Sequence, residues 1–446
     1  MKKLKFIVCA FSALLFTLAA FGGSSCKRRG EYAVPSYQKG AKMDIGVWDM
    51  DPVWLELFAE AGFNLAISSP KVDFNGSGWG ADTQERAIQF LNRAQAAGVK
   101  VIVRDSAFCE PISEYSLSYA PPAADKKNVH LYKDNPAFYG LLVSDEPFSN
   151  IYPHADAIDA LKFKAGEVRA EFPGKVPFIN IAVFVTNTWG EGGALDMLMK
   201  EVKPEILSFD EYVIMADKTI GSGYLTNLAK IKRAAAAAGV PACSILLATG
   251  HETETRRYAT PDYNTMRWQV ACNQTFGYDA FLHYAGDQYD DKMDAIIKMG
   301  KKTQLYEDIK AVHAELRAWE HVYLSYKWEG VAAVLSDESN RNDLFTNIPD
   351  KTPANKIPGI KKITNSQDVL VGIFKDADGN RGYMLTNASN PWQAKNAYVN
   401  VTFDGYKGVQ VWADGEPQIS DLDENGKTLI SLAPGQGKFL IPLKKK

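Results

Sequence analysis

Between residues 43 and 320 the chain repeats one pattern eight times: a short apolar run, then a stretch with helical spacing. The runs are Asp44–Trp48, Asn64–Ser68, Lys100–Arg104, Phe138–Ser144, Val176–Val183, Ile206–Asp210, Cys243–Ala248 and Asp279–Tyr284. None alternates cleanly in polarity, which is the signature of parallel strands buried on both faces. Between them, Asp82–Ala97, Tyr224–Ala238, Pro261–Phe276 and Asp291–Trp319 carry the 3.6-residue period of helices. Eight strands alternating with helices predict an α/β fold of the (β/α)8 TIM-barrel type. An open doubly wound sheet is the competing solution, but no Gly-x-Gly-x-x-Gly follows a strand.

The texture changes near residue 325. Val331–Leu335, Val369–Phe374, Gly382–Thr386, Tyr398–Phe403, Val409–Trp412, Thr428–Leu432 and Lys438–Pro442 read as strands. Turn dipeptides such as Asp378-Gly379, Asp414-Gly415 and Asn425-Gly426 separate several of them. A C-terminal all-β sandwich over 325–446 is expected, after a barrel over 43–324. Asp421-x-Asp423-x-Asn425-Gly426 begins like a calcium loop, but its twelfth position is Leu432, so a hairpin turn is expected.

The N-terminus reads as an export signal. Lys2, Lys3 and Lys5 precede an apolar run, Phe6–Phe21, too short to span a bilayer. Gly22-Gly23-Ser24-Ser25-Cys26 then resembles a bacterial lipoprotein cleavage site, with Cys26 lipidated. The expectation is a signal over 1–26, a linker over 27–42, and residence in the cell envelope, as an outer-membrane lipoprotein or in the periplasm. The remaining cysteines, Cys109, Cys243 and Cys272, form no disulfide framework. A net charge of −3 gives no basic excess for nucleic acid. No zinc-type spacing appears, and no metal or cofactor is expected.

In a barrel, chemistry sits where strands end. Here those ends carry Trp48-Asp49, Arg104-Asp105, Asp145-Glu146-Pro147, Asp210-Glu211-Tyr212, His251-Glu252 and His283-Tyr284. Strand parity aims Glu146, Asp210, Tyr212 and Glu252 into the mouth. Two carboxyls facing one pocket suit glycoside hydrolysis, one donating a proton and the other attacking or activating water. Glu146 is expected to be the general acid, with Glu252 or Asp210 as its partner. Asp145, Tyr212, Asp105, His283 and Tyr284 are candidate substrate contacts. So are Trp48, Trp79 and Trp189, of which at least one is expected to stack on a sugar.

Phe138–Pro147 resembles the Y-G-(apolar)3-x-D-E-P strand of the glycoside-hydrolase-like TIM barrels of clan A, common in gut Bacteroidetes. Ser208–Tyr212 is similar to their sixth strand. Arg267–Tyr284 is similar to their last barrel helix and strand, and Val369–Asn387 to part of their C-terminal β-domain. The resemblance implies a carbohydrate substrate, with Glu146 as acid/base on strand four and a carboxylate on strand seven as nucleophile. Asp145 departs from the family's usual Asn. The rival expectation is a glycan-binding lipoprotein that kept the barrel and lost its second carboxylate.

Overall fold

The computed structural model describes residues 30–69, 83–105, 126–148, 154–182, 193–286, 293–337, 343–413 and 415–446. The barrel strands are β1 (Asp44–Met50), β2 (Leu65–Ser68), β3 (Lys100–Val103), β4 (Phe138–Asp145), β5 (Val176–Ala182), β6 (Leu207–Asp210), β7 (Ala242–Leu247) and β8 (Ala280–Tyr284). They close in the order β1-β8-β7-β6-β5-β4-β3-β2, and every neighbouring pair is parallel. All eight apolar runs therefore became barrel strands, and the open sheet is excluded.

Burial on both faces explains the lack of alternation. Leu65, Ile67, Ile102, Leu142, Phe178, Ile245 and Leu282 form one cluster inside the barrel. Their strand neighbours Ala66, Val101, Val103, Leu141, Ile179 and Phe281 pack outward in the cluster shared with the helices. Gly46 sits in this lumen, where a Cβ would collide with Leu282 Cδ2.

The outer layer includes α1 (Leu55–Glu60), α2 (Thr83–Ala97), α3 (His154–Glu171), α4 (Tyr224–Ala238), α5 (Tyr263–Thr275) and α6 (Gln304–Tyr323). Asp262 and Thr265 form a reciprocal capping box at the start of α5, and Gly239 ends α4 at φ 70°. The long helix expected over 291–319 is corrected. A hairpin of Ile297–Lys298 with Lys301–Lys302 occupies its first half, turned by the positive φ of Met299 and Gly300. No helix among the described residues is long and apolar enough to cross a membrane.

Two antiparallel sheets follow. One has the order β9-β11-β12-β17-β14-β15, with β9 Tyr326–Val334, β11 Val369–Asp376, β12 Arg381–Asn387, β14 Gly408–Trp412, β15 Gln418–Asp421 and β17 Gly437–Leu443. The other has the order β10-β13-β16, with β10 Ile360–Asn365, β13 Ala397–Phe403 and β16 Lys427–Leu432. Strands β10 and β15 were not expected, because each has a single buried side chain, Ile360 and Ile419. The 421–427 turn is not a hairpin, since it carries the chain from one sheet to the other. Asp423 Oδ1 caps it, accepting from the N–H groups of Asn425 and Lys427 at 2.9 and 2.8 Å.

The first sheet leans on α5 and α6. Trp268 Nε1 donates to Ala388 O at 3.3 Å, the Thr275 and Thr386 hydroxyls meet at 2.7 Å, and Trp319 stacks on Phe439. The described part of the expected linker is itself docked. Tyr32 is fully buried, and Ala33 N donates to Lys444 O at 3.0 Å.

Candidate active site

β4 ends at Asp145, and Glu146 takes a left-handed backbone with φ 48°. Its N–H donates to Asn180 O on β5 at 2.9 Å. The β4–β5 ladder slips register between Leu142 and Ser144. Such an irregularity re-aims the side chains that follow it, and it brings two consecutive carboxylates to one site.

Asn180 is the hub of that site. Its Nδ2 lies 3.0 Å from Asp145 Oδ1 and 3.0 Å from Asp210 Oδ1. Ser208 Oγ donates to Asn180 Oδ1 at 3.1 Å, which fixes the amide so that its nitrogen faces the carboxyls. Asn180 and Ser208 are buried, and they sit on the lumen face of β5 and β6 with Asp210.

Three carboxyls at such range cannot all ionise freely. Burial, then the Glu146 and Asp145 charges and a hydrogen bond with Glu146, hold the Asp210 carboxyl well above the usual range. Asp145 is pushed up to about 6, chiefly by burial, against the opposing hydrogen bond from Asn180. Burial and these neighbours thus favour the protonated form of Asp210.

Aromatic rings line the β6–β8 side. Tyr212 stacks on Tyr284 with centroids 5.3 Å apart, and His251 meets both edge-on at 5.8 Å. Burial, then the charges of Asp49, Asp145, Asp210 and Glu146, raises the Tyr284 phenol to about 12. Tyr284 thus stays a neutral hydrogen-bond donor beside the carboxyls. On the β1–β3 side Arg104 pairs with Asp49, and its guanidinium lies 5.7 Å over the Trp48 ring. Arg104 also draws the Asp145 carboxyl down, against burial.

The other candidates fall elsewhere. Glu252 lies in a hairpin, His251–Glu252 with Arg257–Tyr258, and its exposed carboxylate pairs with Arg257 at 2.6 Å. β7 ends at Leu247, so parity carried five residues beyond it has no meaning; on β7 itself Cys243 and Ile245 face the lumen. His283 points outward, with Nδ1 3.1 Å from Gly46 O and Nε2 3.4 Å from His313 Nε2 of α6. It fills the layer between barrel and helix rather than touching substrate. Asp105 is buried and accepts from Tyr132 at 2.6 Å. Trp79, Trp189 and Cys26 lie outside the described residues. The sequence reading missed Asn180, whose signal was a lone amide in the apolar strand Val176–Ala182. Among the described residues no cluster of His, Cys, Asp and Glu could hold a metal ion.

No protein-family model matches the chain, and no curated protein matches it. Solved structures do share its fold. A putative α-galactosidase from Bacteroides fragilis is 10% identical over 91% of this chain and 80% of its own, with a TM-score of 0.52. A GH30 endoxylanase from Clostridium papyrosolvens is 12% identical over 92% and 98%, with a TM-score of 0.45. At these identities the likeness is one of fold.

Proposed function

We propose that the protein is a glycoside hydrolase whose two working carboxyls are Asp210 and Glu146. The observation that carries this reading is their hydrogen-bonded pairing at the carboxyl end of the barrel. Hydrolysis of a glycosidic bond needs one carboxyl that keeps its proton near neutral pH and one that does not. Burial and the neighbouring charges favour the protonated form of Asp210, which supports it as the acid. Asp210 then protonates the leaving oxygen, and Glu146 attacks the sugar or activates water. Asn180 holds Asp210 in place, Tyr284 donates to a sugar hydroxyl, and Trp48 and Tyr212 flank the ring.

A hydrogen-bonded pair is closer than the roughly 5–5.5 Å used by retaining enzymes or the wider gap of inverting ones. Substrate must therefore part the carboxyls. Asp210 is held by Asn180, whereas Glu146 lies half-buried at the strand tip. The same closeness favours a second reading, a glycan-binding barrel without turnover.

Turnover on a panel of plant and host glycans separates the two. Asp210→Asn should lose about 10²–10⁴-fold on natural glycans and much less on nitrophenyl glycosides, which need little protonation. Glu146→Gln should lose activity on both. Saturable glycan binding with no hydrolysis by wild type would establish the binder instead. Anchoring through Cys26 and residence in the cell envelope belong to the same proposal.

A further inference from the structure

The β10-β13-β16 sheet turns one face to the core and the other to solvent. Val399, Val401, Phe403, Ile430 and Leu432 point inward. The register places the outward residues in rows across the three strands. Lys362, Thr402 and Lys427 form one row, and Thr364, Asn400 and Leu429 the next. Tyr398 and Ser431 form the third.

Two features of this face are unusual for a solvated surface. First, Tyr398 is 49% exposed and Leu429 59% exposed, two of the five large hydrophobic side chains exposed among the described residues. They are diagonal neighbours across β13 and β16, close enough to make one apolar platform. Second, the three strands hold three lysines and no acidic residue, in a chain whose net charge is −3. Neither Lys362 nor Lys427 has an ion-pair partner among the described residues. They flank Thr402 on either side, two strand spacings or about 10 Å apart. Beside them a groove of about 720 Å³ runs between β9 and β10, lined in part by Lys361, Lys362, Thr364, Ser336 and Asn355. That volume suits a bound ligand of several rings.

We propose that this face and groove bind an anionic polysaccharide. A sugar ring lies with its C–H face on the Tyr398–Leu429 platform, and its uronate or sulfate groups accept from Lys362 and Lys427. Asn400, Thr364 and Thr402 supply hydroxyl and amide partners between those ends. The inference is independent of turnover in the barrel.

The test uses binding isotherms of the full chain with polygalacturonate, chondroitin sulfate, neutral dextran and polyglutamate. Binding to polygalacturonate, chondroitin sulfate or both is expected, weakening as salt is added, with none to dextran. A preference between the first two assigns the acid as carboxylate or sulfate. The Lys362→Gln/Lys427→Gln double variant and Tyr398→Ala should each lower affinity about tenfold or more. Glu146→Gln should leave it unchanged. The proposal is overturned if neither acidic glycan binds or if polyglutamate binds as well as they do. It also fails if both surface variants keep wild-type affinity or if Glu146→Gln abolishes binding. Lys362, Tyr398 and Lys427 are exposed, and matching far-ultraviolet spectra confirm that the variants fold.

Discussion

Asn180 Nδ2 lies 3.0 Å from Asp210 Oδ1, and the same nitrogen reaches Asp145 at the same distance. One neutral amide thus draws down two carboxyls that burial pushes up. Asn180→Ala should raise both, since it removes a donor to the charged forms. The alkaline limb of the pH–rate profile, set by the proton on Asp210, should move to higher pH, and kcat should fall about 10- to 100-fold. A profile superimposable on wild type would show that the hub does not tune the carboxyls.

Asp145 bears on stability as well. Its folded-state value of about 6 exceeds the ordinary 3.8, so the folded protein binds its proton more tightly than the unfolded chain. The resulting penalty is absent below pH 3.8, grows as pH rises to about 6, and is complete above that. Asp145→Asn should therefore stabilise the protein at pH 8 by up to roughly 3 kcal/mol, and hardly at all at pH 4. Thermal melts at the two pH values measure this, and equal gains at both would refute the assignment.

His283 and His313 act with the opposite sign. Burial holds His283 down at about 4, and burial with the neighbouring His283 holds His313 well below its ordinary value. Phe63, the Gly46 and Ala61 carbonyls and Arg317 surround the pair. Both rings are neutral in the fold, and the unfolded chain takes up protons below its ordinary value of 6.5. Stability is full above that pH and falls as the pH drops toward 4. Denaturant midpoints between pH 7 and 4.5 should show a steeper decline for wild type than for His283→Gln. Parallel declines would count against the pair.

Lipid anchoring has its own measurement. Radiolabelled fatty acid should enter the wild-type chain and be absent from Cys26→Ala expressed in the same envelope. Equal incorporation into both would end that proposal.

The barrel was legible because strands buried on both faces leave continuous apolar runs, and β6 was read to the correct face because Ile206, Ser208 and Asp210 do point inward. Glu252 was misplaced because the β7 face it shares by parity, that of Leu246, packs outward while Cys243 and Ile245 face the lumen, and because the ladder stops at Leu247 with Tyr284. The role of Asn180 could not be read locally, since it depends on β4, β5 and β6 lying side by side. His283 looked like a mouth residue for a simpler reason. It precedes Tyr284, which does point inward, and one residue along a strand reverses the side.

The packing of the first β-sheet against α5 and α6 has a practical side for anyone cloning this gene. Cutting at residue 324 would strip Phe439 from Trp319, Ala388 from the Trp268 indole and Thr386 from Thr275. It would also remove Phe374 from the ring of Tyr323. The truncated barrel would display an oily flank of two helices to water, the kind of surface that drives inclusion bodies. Expression trials should therefore carry the chain through Leu443, whose backbone accepts from Lys407 N at 3.0 Å.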